Sequence, residues 1–210
     1  MWHRFVEVFR GAPGAKHPVS GPAVQRGGPR RTAGTKIVAC IALALVLHGC
    51  GGMTRQPAGG DFNAALSLMK KKDYRQAVNA FKAVIAGNDK HAGAYINLGI
   101  AYTELGERDE ARQALLAAIE RNPRNAVAYN QLGIVYRQSG QFKKARRAYE
   151  KSIGRESKYS KPYLNLGILC DIYLQNMRCA LANYEKYQAL TKGKDEQVAL
   201  WIKDLKQRTR

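Results

Sequence analysis

Cysteines and histidines are the residues of this sequence whose spacing would indicate a metal site, a redox dithiol or a catalytic group. The four cysteines are Cys40, Cys50, Cys170 and Cys179, and no two of them form the CxxC arrangement of a zinc site or redox dithiol. His91 is the only histidine after residue 50, and it belongs to no HExxH motif. The phosphate-binding motif GxxxxGK[ST] and the hydrolase motif GxSxG are absent as well. We therefore expect no catalytic residues, no metal site and no cofactor.

Cys50 ends a segment that has the layout of an export signal. Two arginines and a lysine between residues 30 and 36 precede the apolar run IVACIALALVL at 37–47, which is short for a membrane span and suits a signal peptide. Leu-His-Gly-Cys follows at 47–50 and resembles the lipobox of bacterial lipoproteins, with His48 as a departure. The resemblance implies lipidation of Cys50. The alternatives are a signal peptide with an incidental cysteine and an uncleaved signal anchor.

The N-terminal quarter of the chain is predicted to lie outside the folded domain. Residues 1–49 begin with a Gly-, Pro- and Arg-rich stretch, so we expect a disordered extension followed by the lipoprotein signal peptide. Residues 50–60, GGMTRQPAGG after the cysteine, are predicted to be a lipid-anchored flexible tether. In lipoproteins an aspartate after the cysteine favours the inner membrane; Gly51 therefore implies the periplasmic face of the outer membrane.

The chain is strongly basic, with 35 Lys/Arg and 16 Asp/Glu and a net charge of +19. Residues 50–210 keep a net charge of +13, which favours acidic proteins, anionic lipid or nucleic acid as partners. Lys143, Lys144, Arg146 and Arg147 cluster in one predicted helix. A solvated face is the favoured interpretation of this cluster and a ligand-binding patch the alternative. An exported protein rarely meets nucleic acid, so we expect no nucleic-acid partner.

A period of 34 residues organises the rest of the chain. Tyr95, Tyr129 and Tyr163 have this spacing; so do the leucines at 98, 132 and 166, the glycines at 99, 133 and 167, and the alanines at 77, 111 and 145. The pattern resembles the tetratricopeptide repeat family. The resemblance implies an all-α solenoid of helical hairpins, with about four repeats and a C-terminal capping helix.

The repeat period divides the domain into units. Residues 61–91 form a degenerate first unit, 92–125 and 126–159 the best copies, 160–191 a departing fourth unit, and 192–210 a solvating helix. In the regular units we expect the glycines at 99 and 133 to face the alanines at 111 and 145, which lets the helices approach closely. The glycines at 106 and 140 suit turns with positive φ.

The fourth unit departs from the period because its second-helix landmarks arrive one residue late, at Ala180 and Tyr184. Cys170 takes the position of Tyr102, and Cys179 stands near the start of the partner helix. A disulfide between these cysteines across the widened turn is one interpretation. Two small buried residues that never meet are the other.

The family resemblance implies a concave groove, lined by the first helix of each pair, that binds a protein partner. The matching positions are Ile96, Asn97, Ile100, Thr103, Asn130, Gln131, Ile134, Arg137, Leu164, Asn165, Ile168 and Asp171. The amides at 97, 131 and 165 are placed to bond a ligand backbone, and the isoleucines at 100, 134 and 168 to form an apolar floor. The lysine and asparagine of a carboxylate clamp are missing, so we expect an amphipathic or apolar-anchored segment. The alternative is that several of these isoleucines are inter-repeat core.

These features together predict a non-enzymatic scaffold for protein–protein interaction. Its layout is similar to that of small lipid-anchored tetratricopeptide proteins, or pilotins, which implies assembly or stabilisation of an envelope complex such as a type IV pilus or secretion system. One alternative is an adaptor that recruits peptidoglycan-modifying enzymes. Another is a cytoplasmic module whose signal-like segment is fortuitous.

Overall fold

The computed structural model of the protein describes residues 59–209. The predicted signal segment, Cys50 and residues 51–58 of the tether lie outside the described residues. The helices of the described part are α1 (Phe62–Lys70), α2 (Tyr74–Gly87), α3 (Ala92–Glu104), α4 (Arg108–Arg121), α5 (Ala126–Gln138), α6 (Phe142–Arg155), α7 (Lys161–Ile168), α8 (Met177–Leu190) and α9 (Glu196–Arg208). A π-helical turn, Leu169–Tyr173, continues α7. No strand occurs between residues 59 and 209, so the prediction of an all-α fold is confirmed.

Polar side chains fix where many of these helices begin. The Asp61 and Asp195 carboxylates accept backbone N–H bonds at the starts of α1 and α9, and Asn125 does the same at α5. His91 caps α3, because its Nδ1 accepts the N–H of Ala94 at 3.0 Å. The lone histidine of the repeat region therefore has a structural role as a helix cap.

The helices pack as successive pairs. Each helix contacts the next one along the chain, and the first helices of neighbouring pairs also touch, α1 with α3, α3 with α5 and α5 with α7. The first helices thus lie side by side and form one surface, which we call the first-helix face. In the part of the chain that the structure describes, no helix is long and apolar enough to cross a membrane.

Glycines set the close approach within each of the later pairs. A Cβ added at Gly99 would lie 2.6 Å from Leu115 Cγ, and one at Gly133 would collide with the ring of Tyr149. The side chains that meet the glycines are therefore Leu115 and Tyr149. Ala111 faces Gly99 as expected, with its carbonyl oxygen 3.3 Å from the added Cβ, whereas at Gly133 the ring of Tyr149 takes the place expected for Ala145. In both pairs the larger side chain one helical turn further on reaches under the glycine.

The turns within the pairs need a left-handed residue. Gly106 and Gly140 adopt φ of 78° and 71°, as predicted, and Lys72 and Gln175 occupy the matching positions of the first and fourth pairs with φ of 60° and 50°. Only the two regular units supply the residue type that adopts this conformation without strain.

The fourth pair accommodates its extra residue in the π-helical turn. A π turn widens the helix by one residue per turn, which matches the late arrival of Ala180 and Tyr184. Cys170, fully buried, and Cys179 form a disulfide across this segment, with their Cα atoms 5.8 Å apart. The bond ties the π turn to the start of α8.

The last helix closes the apolar core of the fourth pair. Val198 and Leu205 of α9 are each 1% exposed, and the Trp201 ring lies 5.3 Å from that of Tyr184. Charged residues cover the outer side of α9, where Lys206 pairs with Glu185 of α8 at 2.7 Å. The prediction of a capping helix at the C-terminus is confirmed.

Candidate binding face

The first helices and the π turn carry every residue that the sequence places in the groove. Four of the predicted positions lie on α3, four on α5 and three on α7, and the π turn adds Asp171. These first helices are in contact with one another, so the partly exposed members of the three sets are neighbours on the first-helix face. Whether a partner binds there stays a prediction.

The predicted groove residues divide by exposure. Ile96, Asn130 and Ile168 are buried, at 6%, 1% and 6% exposure. The partly exposed members are Asn97, Ile100, Thr103, Gln131, Ile134, Arg137, Leu164 and Asn165. Ile100 packs with Ile96 against Ala118 and Ala128, and Ile134 packs against the core of the fourth pair. The predicted apolar floor is thus continuous with the inter-repeat core, and of its three isoleucines only those at 100 and 134 are partly exposed.

Most polar groups of the face are engaged internally. Asn97 Nδ2 donates to the Gly93 carbonyl at 2.9 Å, and Thr103 Oγ1 donates to the Gly99 carbonyl at 2.8 Å. Asn165 Nδ2 donates to Asn130 Oδ1 at 2.9 Å, which links α7 to α5. The amides at 97 and 165 are therefore less free to bond a ligand than the sequence suggests. Gln131 makes no such internal bond within the described residues.

Arg137 differs from the other polar residues of the face. Its Nε is buried and has no hydrogen-bond partner among the described residues. The guanidinium carbon lies 5.8 Å from the centre of the Tyr173 ring. Burial raises the pKa of Tyr149, and the Arg137 charge and a side-chain hydrogen bond with Arg137 oppose that rise. The sequence did not place Tyr149 or Tyr173 beside Arg137, because the 34-residue period marks position 149 as packing and position 173 follows the last landmark of its first helix.

The second helix of the third pair carries the basic cluster. Lys143, Lys144, Arg146 and Arg147 are exposed on α6, and Arg146 pairs with Glu150 of the same helix at 2.7 Å. Lys144 Nζ lies 5.6 Å from the centre of the Tyr136 ring, a distance at which a cation–π contact contributes weakly at an exposed site. The cluster is a solvated face, and a ligand for it remains a hypothesis.

Metal-binding groups are not assembled in the described region. Between residues 59 and 209, no three His, Cys, Asp or Glu side chains come close enough together to hold a metal ion. Asp171 is the carboxylate of the face with a perturbed environment: burial raises its pKa, while Arg208 and a hydrogen bond from Tyr184 oppose the rise and Asp204 adds to it. The Tyr184 hydroxyl lies 3.4 Å from Asp171 Oδ2.

Comparisons with known proteins agree with this geometry. Residues 68–133 match one tetratricopeptide repeat family model and residues 126–155 match another. No curated protein sequence matches the chain.

Solved structures of similar fold include two bacterial proteins and a TPR domain with a bound peptide. A thermophilic TPR protein of Thermus thermophilus is 24% identical with a TM-score of 0.60, covering 67% of this chain and 77% of that one. Pseudomonas aeruginosa pilF is 20% identical with a TM-score of 0.65, covering 70% and 67%. The first TPR of Spaghetti (RPAP3), bound to the HSP90 peptide SRMEEVD, is 20% identical with a TM-score of 0.53, covering 56% and 92%. At these identities the likeness shows the fold alone.

Proposed function

This chain is a tetratricopeptide repeat protein, and from that premise we propose that it is a non-enzymatic scaffold, lipid-anchored at Cys50, that holds a component of a bacterial envelope assembly. Tetratricopeptide proteins are general scaffolds for protein–protein interaction.

The observation that carries the binding role is the first-helix face itself. Contact of α3 with α5 and of α5 with α7 presents partly exposed apolar side chains, such as Ile100 and Ile134, beside polar groups on one surface. An apolar stripe with a polar margin is what an amphipathic segment of a partner requires. The structural neighbour RPAP3, which holds a peptide, supports this use of the fold.

The envelope location is supported by the sequence before the repeats. A basic segment, an apolar run of signal-peptide length, the lipobox-like residues 47–50 and a Gly-rich tether stand in the order expected of an outer-membrane lipoprotein. The resemblance of this layout to that of small lipid-anchored tetratricopeptide proteins supports a role in assembling a type IV pilus or secretion system. The proposed partner is accordingly a protein of that assembly at the periplasmic face of the outer membrane.

Labelling of the anchor tests the location. Expression of the full chain with labelled palmitate should give a labelled product, and Cys50→Ala should abolish the label. Cys40→Ala is the matched control, because it removes a cysteine from the same segment and leaves the lipobox-like order intact. Equal labelling of the Cys50→Ala variant, or none in the wild type, would reject the lipid anchor.

Site-directed crosslinking tests the partner. A photo-crosslinking residue at position 131 places the probe on α5 of the first-helix face, and one at Arg147 places it on the exposed side of α6. Capture of a pilus or secretion-complex subunit from position 131 but not from 147 supports the proposal. Capture of a peptidoglycan-modifying enzyme instead would favour the adaptor role, and equal capture from both positions would reject binding by this face.

A further inference from the structure

We propose that the exposed side of α6 rests on anionic phospholipid headgroups of the membrane that carries the lipid anchor. The surface consists of the exposed cations of that helix, which we call the basic patch: Lys143, Lys144, Arg146, Arg147, Lys151 and Arg155. The inference rests on the proposed function, in that the anchor at Cys50 holds the chain at a membrane. It adds which side of the repeats faces that membrane.

The positive charge of the repeats is concentrated in the third unit. Residues 126–159 contain eight Lys/Arg and two Asp/Glu, whereas residues 92–125 of the second unit contain four Lys/Arg and five Asp/Glu. Arg146 pairs with Glu150, and the ion pairs between residues 59 and 209 include no other member of the basic patch. Five of its six cations therefore have no carboxylate partner in the described repeats.

The arrangement of these cations is unfavourable for the helix itself. Lys143 and Lys144 lie in the first turn of α6, which contains no acidic residue and where the helix dipole disfavours positive charge. The matching positions of α4 are occupied by Asp109 and Glu110, which the dipole favours. Four cations also follow one another at four-residue spacing across 143–155, and like charges at this spacing repel. A solvated surface gains nothing from this repulsion, whereas an anionic surface offsets it.

The composition of the patch favours a membrane over a protein partner. The exposed residues of α6 are the six cations, Glu150 and Gly154, and none of them has an apolar side chain. Protein interfaces bury an apolar centre, in which a few large side chains supply most of the binding energy. An anionic bilayer needs no such centre, because each Lys or Arg near its surface contributes by electrostatic attraction. Nucleic acid is not expected at the proposed envelope location.

The tether places the patch within reach of the membrane. Eight residues, 51–58, separate Cys50 from Gly59, and a chain of that length spans at most roughly 30 Å. Gly60 donates its N–H to the Ala83 carbonyl of α2 at 3.0 Å, so the described chain starts against a second helix, and α6 is a second helix as well. A bilayer held within this distance is present at high effective concentration.

This orientation leaves the first-helix face free for a partner. Each of the second helices α2, α4 and α6 contacts the first helices before and after it, whereas the first helices also contact one another. The second helices therefore form a layer behind the first-helix face. With the basic patch on the lipid, the first-helix face is turned away from the bilayer.

Quenching by lipid headgroups tests the contact. The lipid-modified protein is reconstituted into vesicles of phosphatidylcholine, alone or in a three-to-one mixture with phosphatidylglycerol, that contain a headgroup spin-labelled lipid. A fluorescent amino acid replaces Gly154, which is exposed and has space for a side chain, or Gln131 of the first-helix face. We expect phosphatidylglycerol to increase quenching at 154 and not at 131. Equal quenching at the two positions, or quenching at 154 that does not depend on phosphatidylglycerol, overturns the proposal.

Two double variants separate the patch from the overall charge. Lys143→Gln/Arg147→Gln removes two cations of the patch, and Arg108→Gln/Arg178→Gln removes two exposed arginines of α4 and α8. Each basic residue near an anionic bilayer changes the equilibrium about fivefold, so the equilibrium constant for contact, measured by quenching at 154, should fall about twentyfold in the first variant. The second should stay within about twofold of the wild type, because physiological salt screens charges beyond about 8 Å. Equal loss in both would attribute the quenching to net charge and reject the patch.

Two further measurements separate failure of this inference from failure of the anchor. If palmitate labels the protein while position 154 is not quenched, the anchor stands and the membrane contact of α6 is wrong. If palmitate does not label it, the anchor fails and the inference fails with it. Capture of an acidic protein by a photo-crosslinking residue at 147, without quenching at 154, would assign the patch to that protein and overturn the proposal.

Discussion

The third and fourth helix pairs share one contact and differ in nearly everything around it. In each, a tyrosine of the second helix lies under a glycine of the first, Tyr149 under Gly133 and Tyr184 under Gly167. Both tyrosines are essentially inaccessible to solvent. The glycine and the ring therefore fix the distance between the two helices, because any side chain at the glycine would push the ring away.

The connections around this contact differ. The third pair turns through Gly140, whereas the fourth passes through the π turn and places Gln175 in the left-handed region. A disulfide then ties the π turn to α8. A helix pair of this kind therefore tolerates an inserted residue when the insertion lies outside the glycine–tyrosine contact.

The polar neighbour of the buried tyrosine also changes between the pairs. Arg137 lies beside Tyr149, and Asp171 accepts a hydrogen bond from Tyr184. A cation in one pair and a hydrogen-bonded carboxylate in the next occupy the same repeat position. The packing contact is thus repeated while the residue that faces the surface varies, as expected if surface positions carry specificity.

The glycine contact offers the most severe way to break the third pair. Gly133→Ala should lower the free energy of unfolding by about 3 kcal/mol, because the new methyl group meets a ring that has no space to move. Urea denaturation followed by circular dichroism measures the loss. Gly154→Ala in α6 is the control, since a Cβ there meets nothing within 4 Å, and it should leave stability unchanged or slightly raised. A Gly133→Ala variant as stable as the wild type would show that the contact does not set the helix spacing.

The disulfide should give the next largest effect on stability, and it belongs to the fourth pair alone. The bond closes a short loop, with a sequence separation of 9, so the double variant Cys170→Ala/Cys179→Ala should lose about 2–3 kcal/mol. Hydrogen exchange should then show faster exchange at residues 169–179 and unchanged exchange at the turn of the third pair. Reduction of the wild type should reproduce the effect, and the same reductant should not alter the double variant. Uniform loss of protection across both pairs would contradict a local role.

The fold was largely predictable because stacking repeats the same residues. The period of 34 that relates the glycines at 99, 133 and 167 is enough to mark the helix pairs from residue types alone. One contact within a pair was misjudged, because the sequence does not distinguish Ala145 from Tyr149 as the side chain that reaches Gly133. Which of the two side chains reaches the glycine depends on the distance between the two helices, and the repeat period does not indicate that distance.

The candidate face was harder to predict than the fold. The repeat offset places residues such as Ile96 and Asn130 in the groove, yet both are buried by neighbouring helices. The offset indicates which side of its helix a residue lies on, but not how far the side chain is from solvent. The hydrogen bond between Asn165 and Asn130 likewise depends on the separation of α5 and α7.

Exchange of the turn residues sharpens the comparison at a smaller scale. Gly140→Gln gives the third pair the turn residue of the fourth and should cost about 1 kcal/mol, because a side chain disfavours the left-handed region. Gln175→Gly should stabilise the fourth pair by about half as much, since glycine also gains freedom in the unfolded chain. Thermal unfolding of both variants tests this. A Cβ added at position 140 meets no other atom within 4 Å, so equal stabilities would mean that the turn conformation changes with the residue.

The smallest expected effect is a pH dependence confined to the fourth pair. Burial raises the pKa of Asp171, and Asp204 adds to the rise against the opposing effects of Arg208 and Tyr184. A folded-state pKa above the unfolded value means that the folded protein binds more protons between the two values, so stability falls as pH rises through that window and levels off above it. Asp171→Asn removes this titration, and its advantage over the wild type should therefore grow with pH across the window in urea unfolding curves.

Matched tyrosine variants identify the source of that slope. Tyr184→Phe removes the hydrogen bond to Asp171 that opposes the rise in its pKa, so the fall in stability should extend to higher pH. Tyr149→Phe makes the same change in the third pair, where Arg137 stands in place of the carboxylate, and should leave the acidic slope as it is in the wild type. A slope shared by all three proteins would trace the pH dependence to carboxylates elsewhere in the chain. Different slopes would show that two pairs built on one packing contact respond differently to protons because of the single residue facing each tyrosine.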